Sequence, residues 1–309
     1  MELNYMERFL NNKINIDKIR ESSINVYRRN ITIFMNNMEL LKNIHEEIVL
    51  ANAITRNDAE DYISNLINNQ AESYVNGIIS SLKPYFEYLF DEQELITRNP
   101  FRKIKQIKNP EKVNVKDYFE LSEIKRIIKE TFIRQHSERS FEINSSRTRS
   151  LIYILCNSGA RIEEILSLKE DNIHEQDDYY LINYTSNDTK NHVNKQIIIF
   201  GDNKKYFDEY LNIKRKLFPE SEYVFVSCKG KKLTSKNSEE ALQKYCDRCE
   251  INKKITNHVF REIFKTVNTN RNINSDLIKI VGGWCLDKVS SSYLRSVDIP
   301  TLKMVCNIL

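Results

Sequence analysis

Residues 258–262 read H-V-F-R-E, residues 282–284 read G-G-W, and residues 291–295 read S-S-Y-L-R. His258 and Arg261 stand three apart, so on a helix both side chains project from one face. A glycine-marked break follows, and Trp284 and Tyr293 lie beyond it, nine residues from each other. Upstream, S-G-A-R-I-E-E at 158–164 offers Arg161 and Glu164, again three apart.

Taken together, Arg161, Glu164, His258, Arg261, Trp284 and Tyr293 resemble the motif set of the tyrosine recombinases, the phage-integrase-like, Xer-like and Cre-like enzymes. The resemblance extends over essentially the whole chain. It implies cutting and rejoining of DNA through a covalent phosphotyrosine. A DNA phosphodiester resists attack because its charge repels nucleophiles and its alkoxide is a poor leaving group. A catalyst needs cations on the non-bridging oxygens, a positioned nucleophile and an acid for the leaving oxygen.

Arg161 and Arg261 are the candidates for the charge clamp, since a guanidinium donates two parallel bonds to phosphate and stays charged. A lone arginine more often makes a surface salt bridge; the S-G-x-R-x-x-E and H-x-x-R settings single these two out. Glu164 is expected to orient an arginine, and Glu163 to face solvent. Tyr293, one of sixteen tyrosines, is selected as nucleophile by its place after Trp284. A free phenol has a pKa of about 10, so it must lose its proton as it attacks, with His258 the nearest base or hydrogen-bond partner.

The family carries its catalytic lysine on a β-hairpin, which points to Lys190 in D-T-K-N-H-V-N-K as the general acid, with Lys195 its rival. Two departures stand out. Trp284 occupies a position where most bacterial and phage members have histidine, although Cre also has tryptophan; an indole N–H still donates one hydrogen bond. Glu262 follows Arg261 where many relatives have histidine, and its side chain is expected to point away from the phosphate.

The fold expected is mainly α with a small antiparallel β-sheet in the second domain, and the resemblance implies a two-domain, C-shaped DNA clamp. Residues 1–98 read as a helical bundle, which resembles the family's core-binding domain. Ile24, Tyr27, Ile31 and Phe34 fall at helical spacing, Thr55 with Asp58 makes a helix start, and Pro84 should kink a helix over about 74–90. A linker at 99–117, poor in core-forming residues, should be extended and mobile. The catalytic domain occupies 118–309, with Ser122 as a helix N-cap and strands at 179–185, 195–200 and 223–226.

The tail at 294–309 carries an apolar stripe of Leu302, Val305 and Leu309 on a helix too short to stand alone. Docking on its own domain is one option; the resemblance points instead to docking on a neighbouring protomer.

Charge and composition fit this picture. The 309 residues carry a net charge of +4, but residues 1–100 hold 10 basic and 15 acidic side chains, which leaves +9 on residues 101–309. The basic run F-R-K-I-K-Q-I-K at 101–108, with Arg102, Lys103, Lys105 and Lys108, is suited to a phosphate backbone, or equally to a solvated linker. Six cysteines are present. Only Cys246 and Cys249 form a C-x-x-C, and with no second pair at matching spacing a metal site is not expected.

No apolar run approaches the ~20 residues of a membrane span, and the N-terminus lacks a signal pattern. A cytoplasmic, nucleoid-associated protein is expected. The core-binding bundle begins almost at once, so no additional arm-binding domain is expected. The resemblance further implies no cofactor and no metal, double-stranded DNA with inverted half-sites as partner, and a homotetramer passing through a Holliday junction. Type IB topoisomerases share the same chemistry, and a non-catalytic architectural DNA-binding protein is a further alternative.

Overall fold

The computed structural model describes residues 3–19, 21–107, 118–134, 140–185, 195–284 and 297–309. The chain divides into two compact units, residues 1–114 and 115–309.

The first unit is helical: α1 (Asn4–Asn15), α2 (Glu21–Lys42), α3 (Glu47–Ala53), α4 (Arg56–Asn69) and α5 (Glu72–Glu87). Each is amphipathic, and Ile24, Ile31 and Phe34 of α2 are buried as their spacing requires. Thr55 and Asp58 cap α4 reciprocally, each side chain accepting from the other's backbone N–H. The helix α5 continues through Pro84, and only beyond it does the ladder widen into a π-helical turn at Tyr88–Glu92. The buried Glu47 carboxylate accepts from the Tyr5 and Met6 amides, both at 2.8 Å, and from the Tyr85 hydroxyl at 2.6 Å. It thereby satisfies free amides in the first turn of α1 and ties that helix to α3 and α5.

The first part of the expected linker is not extended. Phe101 and Ile104 are buried in this unit's core, and the Phe101 ring packs 5.3 Å from Phe34 and 5.1 Å from Phe86. Ile107 and Asn76 exchange two hydrogen bonds, at 2.8 and 3.0 Å. Two apolar residues three apart were enough to dock the segment, because α2 and α5 offered a matching aromatic surface.

The second unit is built on α7 (Phe141–Ser158), which is buried on nearly every side. Around it lie α6 (Leu121–Glu130), α8 (Ile162–Leu166), α9 (Gly201–Leu217), α10 (Ser235–Arg248), α11 (His258–Asn270), α12 (Ser275–Gly282) and α13 (Ile299–Val305). The N-cap of α6 is Glu120, whose amide donates to Glu123 at 2.8 Å, while Ser122 lies inside the helix. Cys246 and Cys249 are buried in the hydrophobic core.

The sheet is antiparallel, in the order β1 (Ile173–Glu175), β2 (Tyr179–Tyr184) and β3 (Lys195–Phe200). Its third strand is therefore 173–175. The expected strand at 223–226 makes only isolated bridges, Lys169 to Tyr223 and Val226 to Lys232. Val224, Phe225 and Val226 are fully buried instead; a four-residue apolar run does not distinguish a strand from a buried connection.

The tail packs against the core of its own domain. Leu302, Val305, Cys306 and Ile308 are buried in the second unit's core, with Leu309 packed beside it. Asn157 accepts from the Ile308 and Leu309 amides at 2.8 and 3.1 Å, and Asn268 donates to the Val305 carbonyl at 3.1 Å. Among the described residues, no helix is long and apolar enough to cross a membrane.

Candidate phosphate-binding site

The site forms where two chain reversals meet. At the end of α7, Gly159 adopts φ +58°, and a Cβ there would lie 2.5 Å from the Phe264 ring of α11. Only glycine fits both the left-handed backbone and that approach. The turn it makes delivers Arg161 as the N-cap of α8. At the end of α12, Gly283 turns the chain with φ +68°, and the side chain of Lys195 packs where its Cβ would be.

Arg161 and Arg261 grip consecutive carbonyls at that second turn. Arg161 Nη1 donates to Gly283 O at 3.1 Å. Arg261 Nη1 donates to Gly282 O and also to Gly159 O, joining both glycine turns. The Trp284 indole lies over the Arg261 guanidinium, its centroid 3.6 Å from Cζ. Gly282 makes room for that ring, since a Cβ there would lie 1.8 Å from Trp284 Cζ3.

Glu164 is the counter-ion. Its Oε1 accepts from Arg161 Nη1 at 3.3 Å and its Oε2 from the Arg161 amide at 3.0 Å. Lys195 Nζ closes on the same Oε2. Burial alone would raise the Glu164 carboxyl, but Lys195 and Arg161 hold it below the usual range. Burial pushes Lys195 down to about 8, aided by Arg261 and Arg161 and opposed by Glu164. Burial, together with Arg161, pushes Arg261 down to about 10.

Arg161 and Lys195 thus both bond one carboxylate, and Arg261 lies within its field. Arg261 is buried, and among the described residues its Nη2 has no hydrogen-bond partner. A buried donor in a field of excess positive charge is completed by an anion. His258 opens α11 and is exposed, where free amides and the helix dipole also favour negative charge.

The structure therefore brings together Arg161, Glu164, Arg261 and Trp284, with His258 on the helix of Arg261. Lys190, Tyr293 and Lys108 lie outside the described residues. Glu163 is exposed, as expected. The Glu262 carboxylate does not stand apart from the site: its Oε1 is 3.5 Å from His258 Nε2, one helical turn away. Arg102, Lys103 and Lys105 are exposed on the first unit.

Sequence reading ranked Lys195 second and missed its pairing with Glu164. The strand period gave no clear signal, because Ile198 is buried as fully as Ile197 and Ile199.

Residues 117–298 match the sequence profile described as the phage integrase family. Tyrosine recombinase XerC of Leptospira interrogans is 26% identical over 190 residues, covering 61% of this chain and 56% of that protein's length. A tyrosine recombinase of Agathobacter rectalis is 26% identical over 254 residues, covering 81% of this chain and 78% of the relative. Among solved structures, the XerH site-specific recombinase bound to palindromic difH substrate aligns with TM-score 0.65 and 17% identity, over 98% of this chain and 83% of XerH. A lambda integrase dimer bound to a COC' core site aligns with TM-score 0.66 and 14% identity, over 97% of this chain and 100% of that one. These two structures share the fold. With the profile covering more than half of its length, and its turns holding two arginines as described, this chain belongs to the phage integrase family, the tyrosine recombinases.

Proposed function

We propose that the protein is a site-specific DNA recombinase that cuts and rejoins DNA through a 3′-phosphotyrosine. The observation that carries this reading is the surplus of cations, with an Arg261 donor unpartnered among the described residues, at the meeting of the two glycine turns. In this reading the scissile phosphate docks on Arg161 and Arg261. Tyr293 attacks phosphorus as His258 assists its deprotonation, the 5′-oxygen leaves as an alcohol after taking a proton from Lys190, and Trp284 offers its indole N–H. The ester keeps the bond energy, so the 5′-hydroxyl of a partner duplex reverses the step.

The substrate is double-stranded DNA with inverted half-sites, and four protomers exchange strands in pairs in the cytoplasm. The test is a nicked suicide duplex carrying a site recovered from the host genome. An SDS-resistant protein–DNA adduct is expected from the wild type and none from Tyr293→Phe, while DNA binding is kept. Supercoil relaxation without exchange between two sites would instead identify a type IB-like topoisomerase.

A further inference from the structure

We propose that Lys195 is a positioning residue: its ammonium fixes Glu164, and through Glu164 the guanidinium of Arg161, against the turn at Gly283. The inference rests on the proposed function and assigns to Lys195 a task other than protonating the leaving oxygen.

Four observations carry it. The Lys195 side chain is fully buried, with 0% of its surface exposed. Its Nζ closes on Glu164 Oε2, the same oxygen that accepts from the Arg161 amide. The other oxygen of that carboxylate receives Arg161 Nη1 at 3.3 Å. The lysine's own methylenes lie against Gly283, whose carbonyl accepts from Arg161 Nη1 at 3.1 Å. Lys195 therefore touches both groups that hold the Arg161 guanidinium. It does so from a strand position paired with Tyr184 across the sheet, not from a loop.

A proton donor must reach the departing oxygen, and a fully enclosed ammonium engaged by a carboxylate is badly placed for that. It is well placed to keep a buried carboxylate ionised and in one rotamer. The depressed Lys195 pKa, set chiefly by burial, is the cost of holding a cation between two arginines. Without Lys195, Glu164 would keep only Arg161 among the described residues, and its carboxylate would be free to rotate, dragging Arg161 off the phosphate.

The experiment is single-turnover cleavage of the suicide duplex by full-length protein in excess, with DNA affinity and thermal unfolding measured alongside. Lys195→Met is expected to bind DNA like the wild type but to cleave about a hundredfold more slowly, the loss typical of a misplaced reacting geometry. That loss should persist on DNA with a 5′-bridging sulfur, a leaving group that needs no proton. Glu164→Gln/Lys195→Met should cleave faster than Lys195→Met, because the amide still accepts from Arg161 without leaving a bare buried charge.

Recovery of Lys195→Met on the sulfur substrate would overturn the proposal and make Lys195 the acid. So would cleavage at the wild-type rate. If Lys195→Met unfolds at the assay temperature, the double variant carries the same sulfur comparison. Absence of a covalent adduct from the wild type itself would overturn the proposed function, and with it this role; it is visible before any variant is compared.

Discussion

The indole of Trp284 lies over the guanidinium of Arg261, its ring centroid 3.6 Å from Cζ, and the ring also lies nearly parallel to Phe264 at 6.4 Å. Trp284 is the only tryptophan in the chain. Its fluorescence therefore reports directly on the arginine that the phosphate is expected to engage.

That contact depends on a missing side chain. Gly282 sits in helical backbone that alanine tolerates, but an added Cβ would lie 1.8 Å from Cζ3 of the indole. Gly282→Ala should expel the ring from Arg261, shift the tryptophan emission, and cost about 1–3 kcal/mol as overpacking does. In Trp284→Ala the same glycine change should cost almost nothing, a non-additivity that denaturant titration of the four proteins measures. Equal costs in both backgrounds would mean the ring is not held there.

The tail should behave as part of its own domain. Asn157 is buried and serves the last two backbone amides of the chain, Ile308 and Leu309. Asn157→Ala strands those donors and should cost about 1–3 kcal/mol. Leu302→Ala opens a cavity and should cost about 2–5 kcal/mol. Both losses should be independent of protein concentration in thermal unfolding without DNA. Stability that falls on dilution would mean that neighbouring copies share the tail.

Cleavage should have an alkaline limb set by Lys195. Among the described residues, the titratable or charged groups around its ammonium are Glu164, Arg161, Arg261, Tyr184 and Cys306. Burial holds the Cys306 thiol up at about 12, so it stays neutral while Lys195 titrates. Lys195 is protonated below about 8 and neutral above it. The ion pair with Glu164 is therefore present at neutral pH and lost as pH rises. The single-turnover rate should fall on the alkaline side of about pH 8, and Lys195→Met should lack that limb. A wild-type rate unchanged through that range counts against the assignment.

The basic run of the first unit should contribute to DNA affinity through charge alone. Arg102, Lys103 and Lys105 are exposed, while Phe101 and Ile104 anchor the segment. Replacing the three by glutamine should leave unfolding unchanged and flatten the slope of log affinity against log salt by about 2 to 3, at roughly 0.9 per phosphate contact. An unaltered slope would place the run away from the DNA.

What the chain's sequence determined alone are the features carried by near neighbours. The stripe of α2, the Thr55–Asp58 cap, the glycine turn before Arg161 and the shared helix of His258 and Arg261 each depend on residues a few positions apart, and each is present in the structure. Tertiary structure decided the rest, because partner choice depends on surfaces far along the chain. Leu302 and Val305 announce that something covers them, yet only the fold shows α12 and β3 doing so. Phe101 and Ile104 look like sparse apolar residues in a linker until the aromatic face of α2 and α5 captures them. Lys195 looks like one more lysine beside Lys190 until β3 turns it inward, 31 positions from the carboxylate it meets. Backbone preferences act over a helical turn; burial and charge pairing act across the folded molecule, and only the folded molecule settles them.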